Sequence, residues 1–171
     1  MKAGKIVVAM VVIVLFGATL PAKAADYPTS ELFAGFRYTS FGGQANGFGW
    51  GGSWAYNFHQ NFGLAAELGG VYGSSGGTSF TFHDVLVGPR VTLRGNQFNV
   101  FAHVLGGGGF VTASGIGAGS GFVFAAGGGL DYNVSKTLAL RLAQVDYLGL
   151  TGGGVLSSIR AQTGVVFRFG N

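Results

Sequence analysis

Residues 47–58 read GFGWGGSWAYNF. In an extended strand successive side chains point to opposite sides. Phe48, Trp50, Trp54, Tyr56 and Phe58 therefore share one face, and Gly47, Gly49, Gly51, Ser53, Ala55 and Asn57 share the other. One face is bulky and apolar; the other is small and polar. Residues 157–169 repeat the division. Ile159, Ala161, Thr163, Val165, Phe167 and Phe169 point one way, and Arg160, Gln162, Gly164, Val166 and Arg168 the other. Alternation of this kind suits either a soluble sheet with an apolar core or a membrane barrel with an apolar exterior.

Eight such segments can be drawn: roughly 30–40, 47–58, 62–73, 80–94, 98–109, 122–133, 137–148 and 157–169. HQN, GNQ and VSK form tight connections between them. FGGQAN, SSGGTS, VTASGIGAGSG and GLTGGGVLS read as longer Gly/Ser/Thr loops. Short turns alternating with longer loops, between segments of about ten residues, are the mark of a transmembrane β-barrel. An even strand count puts both chain ends on the tight-turn side. A last strand ending in TGVVFRFGN would be an open edge unless it pairs with the first.

Composition agrees with this reading. Charged residues make up 9% of the chain, hydrophobic ones 48%, and 34 of 171 residues are glycine, about three times the usual share. After residue 24 no apolar run is long enough for a spanning helix, which leaves the closed barrel as the membrane-spanning solution. No cysteine is present, excluding a disulfide framework, a zinc–thiolate site and a cysteine nucleophile. Lys2 and Lys5 precede an apolar stretch 6–20 and then Pro21-Ala22-Lys23-Ala24, the pattern of a Sec-type signal peptide cut before Ala25. The expected division is 1–24 signal peptide and 25–171 barrel domain. The signal carries three of the basic residues, so the remainder is close to neutral and offers no electrostatic case for nucleic acid.

Aromatic positions favour the barrel over the soluble sheet. Tyr38, Phe41, Phe48, Trp50, Tyr72, Phe80 and Phe122 lie near the long-loop ends, and Tyr56, Phe58, Phe62, Phe98, Tyr132, Phe167 and Phe169 near the tight-turn ends. They read as two interfacial belts. The charges collect on the polar parity: Glu31, Arg37, Glu67, Arg90, Asp131, Arg141, Arg160 and Arg168. Hairpin register predicts Asp131 beside Arg141, Glu67 within reach of Arg90, and, on closure, Glu31 near Arg168. Asp146 has the wrong parity for this network unless a bulge between Leu142 and Gln144 resets the face. Pro89 removes a ladder donor and predicts a local irregularity. Buried charges must be paired, and an eight-stranded barrel is just wide enough for its own side chains, so the lumen is expected to be a plug of ion pairs.

AELGG (66–70), LVGPR (86–90), GGGLDYN (127–133), LRLAQVDYL (140–148) and the terminal TGVVFRF (163–169) resemble segments of the small eight-stranded outer-membrane β-barrel family of the OmpA/OmpX type. The resemblance implies residence in a bacterial outer membrane, contact with outer-membrane lipid, and a structural or surface role, most simply as a monomer. It also makes Thr163, Gly164, Phe167 and Phe169 the signal taken up by the barrel assembly machinery. The family usually ends on the aromatic, whereas Gly170 and Asn171 follow here.

Motifs for chemistry are weak. Residues 47–52 match G-x-G-x-x-G but lie in a strand with no helix after it, and GIGAGSG (115–121) lacks the Lys-Ser/Thr of a phosphate loop. His59, His83 and His103 show no metal-ligand spacing. His83 shares a parity with Ser79 and Thr81, but the adjacent Asp84 points to the opposite face, so the orienting acid of a hydrolase is missing. No enzyme activity, cofactor or metal is expected. The competing functions are a narrow passive channel, an enzyme acting on outer-leaflet lipid, and a soluble lipocalin-like binder with the faces reversed.

Overall fold

The computed structural model describes residues 27–115, 117–151 and 155–170. The expected signal segment, with Ala22, Ala24 and Ala25, lies outside them. Eight antiparallel strands follow in order: β1 (Ser30–Phe41), β2 (Ala45–Asn57), β3 (Phe62–Ser75), β4 (Thr78–Arg94), β5 (Phe98–Ala113), β6 (Gly117–Asn133), β7 (Leu138–Thr151) and β8 (Val155–Phe169). Each pairs with its neighbours in sequence, and β8 returns to β1 to close the barrel. That seam runs from Ser30↔Phe169 to Phe41↔Ser158, so the last strand leaves no edge along β1. Gly35 and Gly164 face each other within it, and a Cβ on Gly164 would run into the β1 backbone.

The longer loops anticipated from sequence are mostly strand. Gly76 and Gly77, both at positive φ, turn β3 into β4 in two residues, a turn only glycine-like residues make without strain. Gly42 and Gly43 do the same within the 42–44 connection. Most of VTASGIGAGSG extends β5 and β6 rather than forming a loop, because ladder pairing uses backbone groups and tolerates Gly and Ser. Strands β4, β5 and β6 reach 16–17 residues, several more than the roughly 9–11 that cross a bilayer. They rise as a ridge on this side. At its crest residues 117–121 of β6 pair with β5.

The outer face carries Phe48, Trp50, Tyr72 and Phe122 near the long end and Phe58, Phe62, Phe98, Tyr132, Phe167 and Phe169 near the turn end, all exposed. Leu64, Val87, Val100, Val104 and Val145 lie exposed between them. Two residues assigned to the upper belt belong inside. Phe41 is 8% exposed and stands edge-on to both Phe80 and Phe82. Their parity with Arg37 and Asp84 turns them inward, and this outweighs their place at the strand ends.

The ladder shifts register by one residue between Arg141 and Gln144 against β8, and at the matching point against β6. Leu142 and Ala143 both face outward, so Arg141, Gln144 and Asp146 all face in. The Thr163 hydroxyl donates to the Arg141 carbonyl at 2.9 Å, giving the bulge a side-chain partner. At Pro89 the β4–β5 ladder skips residues 88 and 89 and resumes at Arg90↔His103 in unchanged register.

Candidate functional site

The lumen is the one concentration of chemistry among the described residues, and it is layered. Nearest the long hairpins is an apolar layer: Phe41, Val71, Phe82, Val123 and Leu148, with Phe80 and Leu150 packed on it. Ser158, in register with Phe41 and Leu148, puts one buried hydroxyl at this level, and the rest of the layer forms an apolar collar.

Below the collar lies a charge cluster around two guanidinium groups. Arg37 donates through Nη1 to both Asp84 oxygens (2.9 and 2.8 Å), through Nη2 to Glu67 Oε1 (3.0 Å) and through Nε to Gln162 (3.2 Å). Arg160 donates through Nε and Nη2 to Asp146 Oδ2 (2.9 and 2.7 Å). Its Nη1 lies 2.6 Å from Glu67 Oε1, as a charge contact rather than an aligned hydrogen bond. Gln144 donates to Glu67 and Asp146, and His103 Nε2 lies 2.8 Å from Asp146. All these side chains are buried. Arg37 fits because Gly51 and Gly69 face it: a Cβ at Gly69 would sit inside the guanidinium. The small residues on the inner parity of β2 and β3 are the space the arginine occupies.

Toward the turn end, Arg141 grips Asp131 through Nε and Nη2 (2.8 and 3.2 Å) and lies between the rings of Phe33 and Phe101 (4.4 and 4.3 Å to the centroids). Arg90 also covers Phe101 and reaches Glu31 at 3.1 Å. Glu31 accepts further from Arg94 (2.7 Å) and Asn57 (3.3 Å). Stacking holds the flat guanidinium in place while its edge meets the carboxylate.

All nine charged residues singled out from sequence face this lumen, but their partners differ in part. Asp131 meets Arg141. Glu67 pairs with Arg37 and Arg160, not with Arg90. Glu31 lies opposite Arg168 in register yet is held by Arg90 and Arg94. The reason is common to both: hairpin register couples neighbouring strands, while these long side chains bridge the lumen. Asp84 and Arg94 were missed as members of the network, although both share the parity of Arg90. Of the proposed assembly residues, Phe167 and Phe169 face outward, Thr163 holds the bulge and Gly164 lies in the seam. His83 is exposed on the outer wall against Tyr72, while Asp84 is committed to Arg37 inside.

Glu67, His103 and Asp146 bring ligand-type atoms within 4.8 Å of one another. Arg37 and Arg160 already neutralise two of them, so the set does not fit a cation without displacing a guanidinium.

Comparison with known proteins gives no match to a family model and none to a curated protein. Solved structures do match. Neisserial surface protein A aligns at a TM-score of 0.67 with 15% identity, over 82% of this chain and 96% of that one. Ail, the attachment invasion locus protein of Yersinia pestis, aligns at 0.61 with 15% identity, over 84% and 99%. The N-terminal β-barrel domain of Pseudomonas aeruginosa OprF aligns at 0.54 with 17% identity, over 83% and 98%. Identity at this level speaks for the fold. With the closed topology, the apolar exterior and the charged interior, it makes this chain a small eight-stranded outer-membrane β-barrel in fold.

Proposed function

We propose that the protein is a non-conducting, non-enzymatic barrel of the bacterial outer membrane that acts through its lipid-embedded wall and its surface hairpins. The observation that carries this reading is the occupied lumen: an apolar collar above a continuous set of buried ion pairs. A passive channel needs a wetted path, and here both layers oppose one. The resemblance to Ail and neisserial surface protein A, one named for attachment and invasion and the other for the cell surface, supports a surface role. Export by the 1–24 segment and insertion by the assembly machinery complete the proposal.

The surface is chemically unusual. Residues 38–48, 72–83, 108–124 and 148–158 contain no Lys, Arg, Asp or Glu. Recognition there rests on exposed apolar side chains such as Phe110 and Val111 rather than on charge. Ail has been crystallised with the heparin analogue sucrose octasulfate; this surface lacks the cations for a polyanion, so the protein should not be retained on heparin.

The test is a planar-bilayer recording on protein recovered from the outer-membrane fraction and shown to be folded by its heat-dependent gel mobility. A silent bilayer is expected. Reproducible single-channel steps would overturn the closed-lumen reading, and recovery in the soluble exported fraction would overturn the membrane one.

A further inference from the structure

The outer wall carries one polar feature that neither the lumen nor the hairpins account for. Among the described residues every Arg, Asp and Glu belongs to the lumen and its turn-side mouth, and Lys136 lies in the turn between β6 and β7. His83 is the exception on the wall. It is exposed and points away from the lumen, while its neighbour Asp84 faces in and is held by Arg37. An ionisable side chain on a lipid-facing surface is costly unless it has a partner, and the described residues put no carboxylate on this wall.

Gly70 brings a second nitrogen beside it. Strand register sets Trp50 of β2 and His83 of β4 on either side of Gly70 in β3. Gly70 is buried although its strand face is outward, because both rings lie over it. A Cβ on Gly70 would stand 3.0 Å from Trp50 Nε1, 3.0 Å from His83 Nε2 and 2.9 Å from His83 Cδ2. The two nitrogens are therefore at most about 6 Å apart, within the span of one phosphate group whose oxygens accept from both. Neither has a hydrogen-bond partner among the described residues. The indole N–H only donates, and imidazole Nε2 donates as the imidazolium or as the Nε2–H tautomer. Tyr72 stands edge-on to His83, ring centroids 6.0 Å apart, and braces it from the hairpin side.

The height of the pair suits a lipid headgroup. From Phe62↔Val91 in the turn-end belt to Gly70↔His83, the β3–β4 ladder climbs about 20 Å along the barrel axis, at roughly 3.4 Å per residue and a tilt of about 40°. The apolar band of such a barrel is about 25 Å tall, so His83 stands near its upper edge. The outward side chains change character there. Leu64 and Val87 lie below the pair, and Ser74, Ser79 and Thr81 lie above it. We infer that Trp50 and His83, set together by Gly70, bind the phosphate of an outer-membrane lipid whose acyl chains run down the wall beneath them. This rests on the lipid-embedded wall proposed above.

The experiment follows the Trp50 indole Nε1–Hε1 resonance by proton–nitrogen NMR of the full folded protein in dodecyl maltoside micelles, which contain no phosphate. The resonance is assigned by its loss in W50F. Dihexanoyl phosphatidate is titrated in, with dihexanoylglycerol, which keeps the chains and esters, and inorganic phosphate, which lacks the chains, as controls. A shift that saturates with the phospholipid and is absent with both controls is the expected result. H83F keeps a ring against Tyr72 and loses the donor; G70A keeps both donors and pushes the rings off the backbone. Each should raise the phospholipid fraction at half-shift about tenfold, the loss expected for one hydrogen bond to a charged group. Equal shifts with dihexanoylglycerol or inorganic phosphate, no saturation, or an unchanged half-point in either folded variant would overturn the site. The comparison of phospholipid with dihexanoylglycerol needs no variant. Heat-dependent gel mobility of the same sample tests the membrane wall separately: a barrel that shows it without a phosphate-specific shift loses the site and keeps the wall.

Discussion

Arg160→Met is the sharpest test of the dry lumen. Arg160 is where three carboxylates converge: Glu67 at 2.6 Å, Asp146 at 2.7 Å and Asp84 at 3.6 Å. Methionine keeps much of the length and all of the apolar stem while removing the charge. Arg37 would then face Glu67 and Asp84 alone, and Asp146 would be left with His103 and Gln144. Removing one partner of a buried pair costs about 3–5 kcal/mol, because the survivor stays desolvated without compensation. Exposed pairs cost about 0–1 kcal/mol, since water takes over. The two regimes are far enough apart for one measurement to choose between them. The assay is reversible denaturant unfolding of protein refolded into lipid vesicles, followed by the fluorescence of Trp50 and Trp54 on β2. Arg160→Met/Asp146→Asn should recover a substantial part of the loss, since it withdraws the stranded charge. A loss below about 1 kcal/mol for Arg160→Met would mean a hydrated lumen and refute the reasoning.

Other perturbations address the architecture. Gly69→Val drives a side chain into the Arg37 guanidinium and should cost about 1–3 kcal/mol by overpacking, in the same unfolding assay; Gly52→Ala, whose new Cβ would meet only the Phe33 carbonyl at 3.5 Å, should stay within about 0.5 kcal/mol. Deleting Ala143 removes the bulge and leaves Arg141, Gln144 and Asp146 on one parity, so the heat-dependent gel shift should survive; deleting Val104 from the regular part of β5 reverses the facing of half a strand and should abolish it. Val145→Arg puts a charge on the outer wall near the middle of β7 and should destabilise by about 2–4 kcal/mol in vesicles, while a neutral effect would place that wall in water.

How much of this was legible before the structure depends on the range of each interaction. Strand parity is local, and eight segments, an inner charged face and an outer apolar one can be read from it. The bulge was legible for the same reason: Arg141 and Asp146 cannot both face in on a regular strand. Pairing across the lumen was not. Arg37 and Asp84 come from β1 and β4, Glu67 and Arg160 from β3 and β8, and no hairpin register links them. Phe41 and Phe80 show a different failure: their position along the strand suggested a membrane belt, while their parity with Arg37 and Asp84 already pointed inward. The long hairpins were hidden because glycine and serine read as loop when side chains are counted. The ladder that forms there is made of backbone.

The glycine content and the arginine plug are two sides of one constraint. An eight-stranded barrel leaves little room inside. Arg37 can lie across it because Gly51 and Gly69 present no Cβ to its guanidinium, and Gly127 likewise leaves space for the Asp146 carboxylate. Lys would not serve equally well at Arg37: its single nitrogen could not bond Gln162, Glu67 and Asp84 from three edges of one plane. The inner glycines therefore select for a flat, multidentate cation, which in turn requires carboxylates on several strands. Once those are in place the centre is occupied by buried charged side chains, and Phe41, Phe82 and Leu148 pack over the remaining end. The proposed non-conduction therefore rests on the same packing that holds the barrel together.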